Sequence, residues 1–374
     1  MKFSIGVLGG TGYIATPYRR EIRDCSADDA RIVALCARRR DQLEAASRED
    51  GATLMTDDWR AVVEHPEVNT ILVATPDALH YEPVLAAAKL GKHLVCEKPL
   101  GTNAAQARAM WEAVREAKVG HFVPFWTRYV PVFIRARTLV QQGMLGDVRA
   151  MVYRWHNPRP PSMPFTWRDD ASLSAAGSVA DVGSHAYDTL RWMLGLDATR
   201  VMAHATVITP AKPDLGAVNL EEALQWAGHH PGGVASQPAM RRGTAFDYAT
   251  IAFELSNAAV GTIILSHAPY LRKGLAPEVE LHGTEASLAI DRAAGTVTLV
   301  RHGETPSVVD TLPDPGFGNR FAKHVFPALR ARIAGQPCEH PGMDDGWRVQ
   351  LFTDAAALSA ARGDWVDMAE VEQG

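Results

Sequence analysis

The chain of 374 residues is long enough for two domains, each with its own core. Apolar residues make up 47% and charged residues 22%, a globular composition, and a net charge of −5 gives no reason to expect nucleic acid or an anionic membrane as partner. No apolar run approaches the ~20 residues that span a bilayer, and the N-terminus enters a strand rather than a secretory leader, so a cytoplasmic protein is expected. Cys25, Cys36, Cys96 and Cys338 are too scattered for a disulfide framework or a zinc site, and no metal is expected.

Apolar runs at 3–8, 31–36, 69–75, 93–96 and 121–124 predict strands buried on both faces. Helical periodicity at about 13–24, 40–49, 79–90 and 103–117 separates them, the alternation of parallel βαβ units. The pattern then changes. After a helix near 130–142, extended segments fall at 147–156, 201–208, 247–256, 259–268, 276–283 and 295–301. Ala249, Ile251, Phe253 and Leu255 alternate with Tyr248, Thr250, Ala252 and Glu254, which predicts an antiparallel sheet with one packed face. Helices near 320–335 and 344–362 close the chain. The fold class is α/β, with a domain boundary near Pro124: a dinucleotide-binding domain over 1–124 and an α/β domain with a large open, mostly antiparallel sheet over 125–374.

The first strand runs into Gly10-Thr11-Gly12-Tyr13-Ile14-Ala15, a Gly-x-Gly-x-x-Ala turn that opens a helix. Small residues are needed there because the backbone must approach a pyrophosphate held at the helix N-terminus. Gly10, Thr11, Gly12, Tyr13 and Ile14 are therefore candidate cofactor residues. The tip of the second strand commonly offers an acid to the adenosine ribose, but Leu35-Cys36-Ala37-Arg38-Arg39-Arg40 has none. Arg38 is placed to pair with a 2′-phosphate or stack on adenine, which favours NADP over NAD; the bland alternative is a solvated helix start.

Thr75 and Pro76 end the fourth strand at the sheet edge where a dinucleotide lies. His80, counted with this cofactor loop, suits a packing or capping role, and Thr102 is in place to cap the later helix beside Gln106. Glu97-Lys98-Pro99 follows the strand at 93–96, which stands Lys98 at the mouth of the sheet. Alone, a Glu-Lys pair is more often a solvated surface pair. Far downstream, Asp181 and His185 lie four residues apart in Ala180-Asp181-Val182-Gly183-Ser184-His185, on one face of a helix. A carboxylate one turn from an imidazole orients the ring and raises its basicity, which suits a general acid–base; an ordinary helical ion pair is the rival.

Together GGTGYIA, ILVATPDALH, GKHLVCEKPLGTN and ADVGSHAYD resemble the glucose-fructose oxidoreductase/inositol dehydrogenase (Gfo/Idh/MocA) family, in family order and over nearly the whole chain. The resemblance implies a Rossmann domain followed by an α/β domain, and hydride transfer between NAD(P) and a secondary alcohol of a sugar, cyclitol or related polyol. It places Lys98 beside the nicotinamide, flanked by Glu97 and a Pro99 whose peptide is often cis in relatives. It makes His185 the proton-handling residue and Asp181 its neighbour or a substrate contact.

Trp126, Arg128, Tyr129, Trp155, His156, Asn157, Trp167 and Arg168 are candidates for the pocket wall, since aromatic faces with polar neighbours suit a pyranose ring. A homodimer or homotetramer through the outer face of the second sheet is expected. The connection from Pro210 to Arg242, with a short helix expected over Leu220–Trp226, is of a length that is either functional, as a substrate lid or an oligomer arm, or disordered; His229 and His230 within it read as a solvated pair. Two other uses of the same residues stand beside the dehydrogenase: a redox-neutral enzyme that oxidises a sugar transiently to allow elimination, and a non-catalytic cofactor sensor. A short-chain dehydrogenase is excluded because the chain has no Tyr-x-x-x-Lys.

Overall fold

The computed structural model describes residues 1–231 and 239–373; Gly232, Gly233 and Pro238 of the long connection lie outside the described residues. The chain forms two compact units. One comprises Met1–Pro124, Asn219–Glu221 and Gly318–Arg348; the other comprises Phe125–Val218, Glu222–Phe317 and Val349–Gly374.

In the first unit strands and helices alternate: β1 (Phe3–Leu8), α1 (Ala15–Arg23), β2 (Ala30–Cys36), α2 (Arg40–Asp50), β3 (Leu54–Thr56), α3 (Trp59–Glu64), β4 (Thr70–Val73), α4 (Tyr81–Lys89), β5 (His93–Cys96), α5 (Ala104–Ala117) and β6 (His121–Phe122). All pairings are parallel in the order β3-β2-β1-β4-β5-β6. The order reverses between β1 and β4, and in such sheets the carboxyl ends at the reversal bind the ligand. β1 is buried along its length, and Gly6 lets α3 close on it: a Cβ there would lie 2.5 Å from Val62 Cγ1. β3 and α3 escape the periodicity argument because they are only three and six residues long. α5 is capped by Asn103, whose Oδ1 accepts from Gln106 N at 2.9 Å, rather than by Thr102. Thr102 instead donates through N and Oγ1 to Gln106 Oε1, both at 3.1 Å.

The second unit contains α6 (Pro131–Gln141), β7 (Val148–His156), α7 (Ser178–Leu194), β8 (Ala198–Thr206), β9 (Lys212–Pro213), α8 (Leu220–His229) from Glu222 onward, β10 (Met240–Arg241), β11 (Tyr248–Leu255), β12 (Val260–Ser266), β13 (Val279–Gly283), β14 (Ala286–Asp291), β15 (Thr296–Arg301) and β16 (Ser307–Thr311). The chain ends with α9 (Phe326–Ile333), α10 (Met343–Arg362), β17 (Val366–Asp367) and α11 (Met368–Gln373). Nine strands form one sheet in the order β16-β15-β14-β13-β7-β12-β11-β8-β17. β7 and β12 run parallel and the other pairings are antiparallel. Ala249, Ile251, Phe253 and Leu255 of β11 are buried, while Tyr248, Thr250, Ala252 and Glu254 are half-exposed. Helices cover the packed face: Tyr187 of α7 stacks on Phe352 of α10 at 3.8 Å, and Phe253 meets Phe352 edge-on. No described helix is long and apolar enough to cross a membrane.

One expectation needs correction. Gly318–Arg348, read with the second domain, packs with the first. Arg320 donates through its backbone N to Glu21 Oε2 (2.7 Å) and through Nε to Oε1 (2.8 Å), with its guanidinium 4.7 Å from the centre of the Tyr18 ring. Phe326 stacks on Phe3 with centroids 4.8 Å apart. Aromatic burial and a forked ion pair decide the partner here, and neither shows in helical periodicity.

Candidate active site

The glycine turn sits where β1 meets α1. Gly9 adopts φ +79°, and a Cβ there would fall 2.5 Å from the carbonyl oxygen of Ala74. Gly9 N and Gly10 N both donate to Cys36 O at 3.0 Å, and Gly12 N donates to Gly9 O at 2.8 Å. The turn is thus pressed against the ends of β2 and β4, with no space for a side chain at Gly9 and little at Gly10 and Gly12. Ile14 supplies no side-chain cap to α1, and no acid lies in its first turn. A helix N-terminus left in that state favours an anion, so the residues present fit a dinucleotide pyrophosphate. Thr11 is half-exposed and Tyr13 exposed beside it.

Around this turn the other expected residues divide. Arg38 is exposed at the tip of β2. Burial pushes the neighbouring Cys36 thiol up to about 11, helped by Asp57 and Asp58 after β3. Thr75 and Pro76 follow β4 as expected, with Thr75 Oγ1 donating to Leu79 O at 3.3 Å. His80 is fully buried, with its ring nitrogens 2.9 Å from the carbonyl oxygens of Thr75 and Pro99. It ties the loop after β4 to the loop after β5 instead of presenting itself to a ligand. Glu97 is also buried, which raises its pKa, and its Oε1 accepts from Tyr18 Oη at 2.6 Å. Tied from both sides, the loop holds Lys98 half-exposed beyond the end of β5, before a cis peptide to Pro99.

In the second unit α7 carries Asp181 and His185, the pair expected from the sequence to handle a proton. Gly177 starts it with φ +56°, a conformation that brings Ser178 N to Phe246 O at 2.6 Å; a Cβ at Gly177 would lie 2.2 Å from that oxygen. Asp181 falls in the first turn and His185 in the next. The His185 ring lies between Trp155, stacked at 5.6 Å and 25°, and Phe125, edge-on at 6.0 Å. Trp155 is backed in turn by Tyr153, and Arg292 stands over it at 4.4 Å. Beneath, Thr189 Oγ1 donates to His185 O at 2.7 Å and lies 2.8 Å from Thr127 Oγ1.

The Asp181 carboxylate faces groups that the spacing argument did not name. Its Oδ2 lies 3.4 Å from His267 Nε2 and 3.8 Å from Arg159 Nη2. Asp169 lies on the far side of Arg159, at 3.9 Å, and takes Lys212 Nζ at 2.6 Å and Thr166 N at 2.9 Å. Burial would raise the Asp169 pKa, but Lys212 and Arg159 hold it below the usual carboxylate value. Arg159, Asp169, Lys212 and His267 were missed because β7, β12 and the long connection bring them together from distant stretches of chain. The one local hint was Asn157-Pro158-Arg159 immediately after a strand.

The expected pocket wall is only partly free. Arg128 forks onto Asp188 of α7, Nε to Oδ2 at 2.8 Å and Nη2 to Oδ1 at 2.5 Å, with side chains 6% and 0% exposed. Its guanidinium braces the helix and is not offered to a substrate. Trp126 is buried against Tyr129 and Phe317. Trp167 stays half-exposed with the Arg168 guanidinium 4.4 Å above its ring, and His156 and Asn157 are half-exposed at the end of β7. Among the described residues no group of three His, Cys, Asp or Glu could hold a metal ion; His230 stacks on Trp226 at 4.4 Å.

A doubly wound parallel sheet with this turn, followed by a mixed-sheet domain, defines a dinucleotide-dependent oxidoreductase. The chain belongs to the Gfo/Idh/MocA family: the model of its NAD-binding Rossmann oxidoreductase domain matches residues 3–125, and the model of its C-terminal domain matches 133–289. It is 27% identical over 349 residues to a levoglucosan dehydrogenase of Pseudarthrobacter phenanthrenivorans, covering 87% of this chain and 86% of that one. It is 23% identical over 363 residues to an inositol 2-dehydrogenase of Rhizobium meliloti, covering 96% and 98%. Among solved structures, a levoglucosan dehydrogenase in complex with NADH shares the fold, with TM-score 0.80, 23% identity, and 98% and 99% of the two chains covered.

Proposed function

We propose that the chain moves a hydride between a nicotinamide and a secondary alcohol or ketone of a sugar or cyclitol, with Lys98 and His185 serving the same oxygen. The observation that carries this is α7, which presents an imidazole clamped between two aromatic rings one turn after a carboxylate. Relatives named as levoglucosan and inositol dehydrogenases support the substrate class. Bound at the glycine turn, the dinucleotide supplies or accepts the hydride; the protein's residues position the alcohol and handle one proton. His185 removes the hydroxyl proton on oxidation and returns it on reduction. Lys98 donates a hydrogen bond to that oxygen, stabilising alkoxide charge as it develops. Asp181, which faces Arg159 and His267, orients the substrate or the imidazole. A soluble, cytoplasmic setting suits such chemistry. A screen of sugars, cyclitols and sugar acids with both cofactors tests the reading. Turnover without net cofactor reduction would point to the redox-neutral use of the same residues.

Arg38 makes NADP the preferred cofactor in this proposal. A guanidinium fork on a 2′-phosphate is worth about 1.5–3 kcal/mol, so Arg38→Ala should weaken NADPH binding roughly 10–100-fold and leave NADH unchanged. Fluorescence titration checks this; equal or tighter NADH binding by the native chain defeats it.

The open face of the nine-stranded sheet is proposed as the oligomer interface. Met202, Ala252, Thr262 and Val152 lie side by side across β8, β11, β12 and β7, a row without charge. Homo-oligomers are usually built on one self-complementary patch, here giving a homodimer or a homotetramer. Light scattering should give a dimer or larger, and Thr262→Arg should shift it toward monomer. A native chain that runs as a monomer at micromolar concentration contradicts this.

A further inference from the structure

We infer that Arg159 shares a substrate hydroxyl with Asp181 and that the pair selects a neutral polyol over the corresponding sugar acid, an inference that rests on the function proposed above. Arg159 lies beyond β7 in a segment held against the end of β12: Asn157 N donates to Ser266 O at 2.8 Å, and Arg159 N to His267 O at 3.2 Å. Its side chain is only 9% exposed. The carboxylates that face it stand at 3.8 Å (Asp181) and 3.9 Å (Asp169), beyond hydrogen-bond length. Asp169 is already committed, one oxygen to Lys212 and the other to Thr166 N and Oγ1. Among the described residues, then, the Arg159 guanidinium has ion-pair neighbours but no side-chain hydrogen bond. Buried guanidinium donors without acceptors are costly, and the usual solution is a ligand or water.

His267 repeats the pattern. Its Nε2 lies 3.4 Å from Asp181 Oδ2, is buried, and has no hydrogen-bond partner. Burial, with Arg159 nearby, holds its pKa well below the usual histidine value, so the ring is neutral. The Asp181 carboxylate is therefore approached from two sides by donors that stop short of it. A hydroxyl suits that spacing: its oxygen accepts from Arg159 while its proton is donated to Asp181. A carboxylate does not suit it, since it brings only acceptors toward Asp181.

The charges of this unit agree. Arg159, Arg168 and Lys212 are matched by Asp169, Asp181 and Asp247, the groups that act on one another here. Asp247 accepts from Ile208 N and Thr209 N at 2.8 and 3.0 Å. Among these described groups the cations and carboxylates balance, so none of the three cations is left over to offset an added anion. Lys212 comes from the long connection, which thus reaches the site through its ion pair with Asp169, while Arg241 of the same connection pairs with the adjacent Asp170 at 2.6 Å.

Steady-state kinetics on D-glucose against D-glucuronate, and D-galactose against D-galacturonate, with both cofactors, test the inference. The native chain should show kcat/KM at least about tenfold higher for the neutral member. Arg159→Lys keeps the buried charge but loses the planar fork; it should raise KM for the neutral sugar about tenfold and leave kcat within about threefold. Thermal unfolding of that variant should stay close to native. Equal or better use of the uronate by the native chain overturns the inference without any variant. So does an unchanged KM in folded Arg159→Lys. Absence of turnover with either class, despite dinucleotide binding, overturns the functional proposal and this inference together.

Discussion

Lys98→Met and His185→Ala are each expected to slow the hydride step by about 10²–10⁴-fold while NADPH affinity stays near native. The glycine turn, pressed against Cys36 O and Ala74 O, is independent of both side chains, so the pyrophosphate site survives. If one oxygen is served by both groups, losing the first already disables the shared task, and the double variant should fall little further. Asp181→Asn should be milder if the carboxylate only orients, and severe if its charge is needed to set the charge on His185. Single-turnover rates with NADPH titrations separate the cases. Near-native turnover in both single variants means the site is misassigned. Loss of cofactor binding in step with activity makes both residues supports of the fold.

Arg128→Met is expected to destabilise the protein by about 3–5 kcal/mol, because it takes the forked guanidinium away from a carboxylate sealed from solvent. The pair is forked and almost sealed from solvent, so solvent screening does not soften the loss. Removing both charges should be gentler: Arg128→Met with Asp188→Leu is expected to recover much of the stability, since neither side chain then carries a desolvated charge. Urea unfolding of the three proteins measures this. Asp188 lies one turn after His185 on α7, so the single variant should also disturb turnover more than cofactor binding. A native-like midpoint for Arg128→Met would show that water reaches Asp188.

Much of this was legible because local physics wrote it locally. Strands buried on both faces give continuous apolar runs, as in β1 and β4, and the glycine turn is imposed by close backbone approach. Helical spacing placed Asp181 and His185 one turn apart on α7. What escaped was written across distance. β3, α3 and β16 are too short to show a period. Arg128 looked like a substrate residue because its acid lies sixty positions away. Arg159, Lys212 and His267 converge on Asp181 and Asp169 only once β7 and β12 pair in parallel, a pairing no neighbouring residues announce.

The return of Gly318–Arg348 has a further consequence. The nucleotide-binding domain is not one uninterrupted stretch of the gene. During synthesis Glu21, Tyr18 and Phe3 must wait for Arg320 and Phe326, so this domain cannot complete its packing until most of its neighbour has been made. A chimera exchanging cofactor domains at Pro124 alone would separate those partners. A workable exchange carries the stretch 318–348 along, which makes the two halves of the enzyme inherit as one.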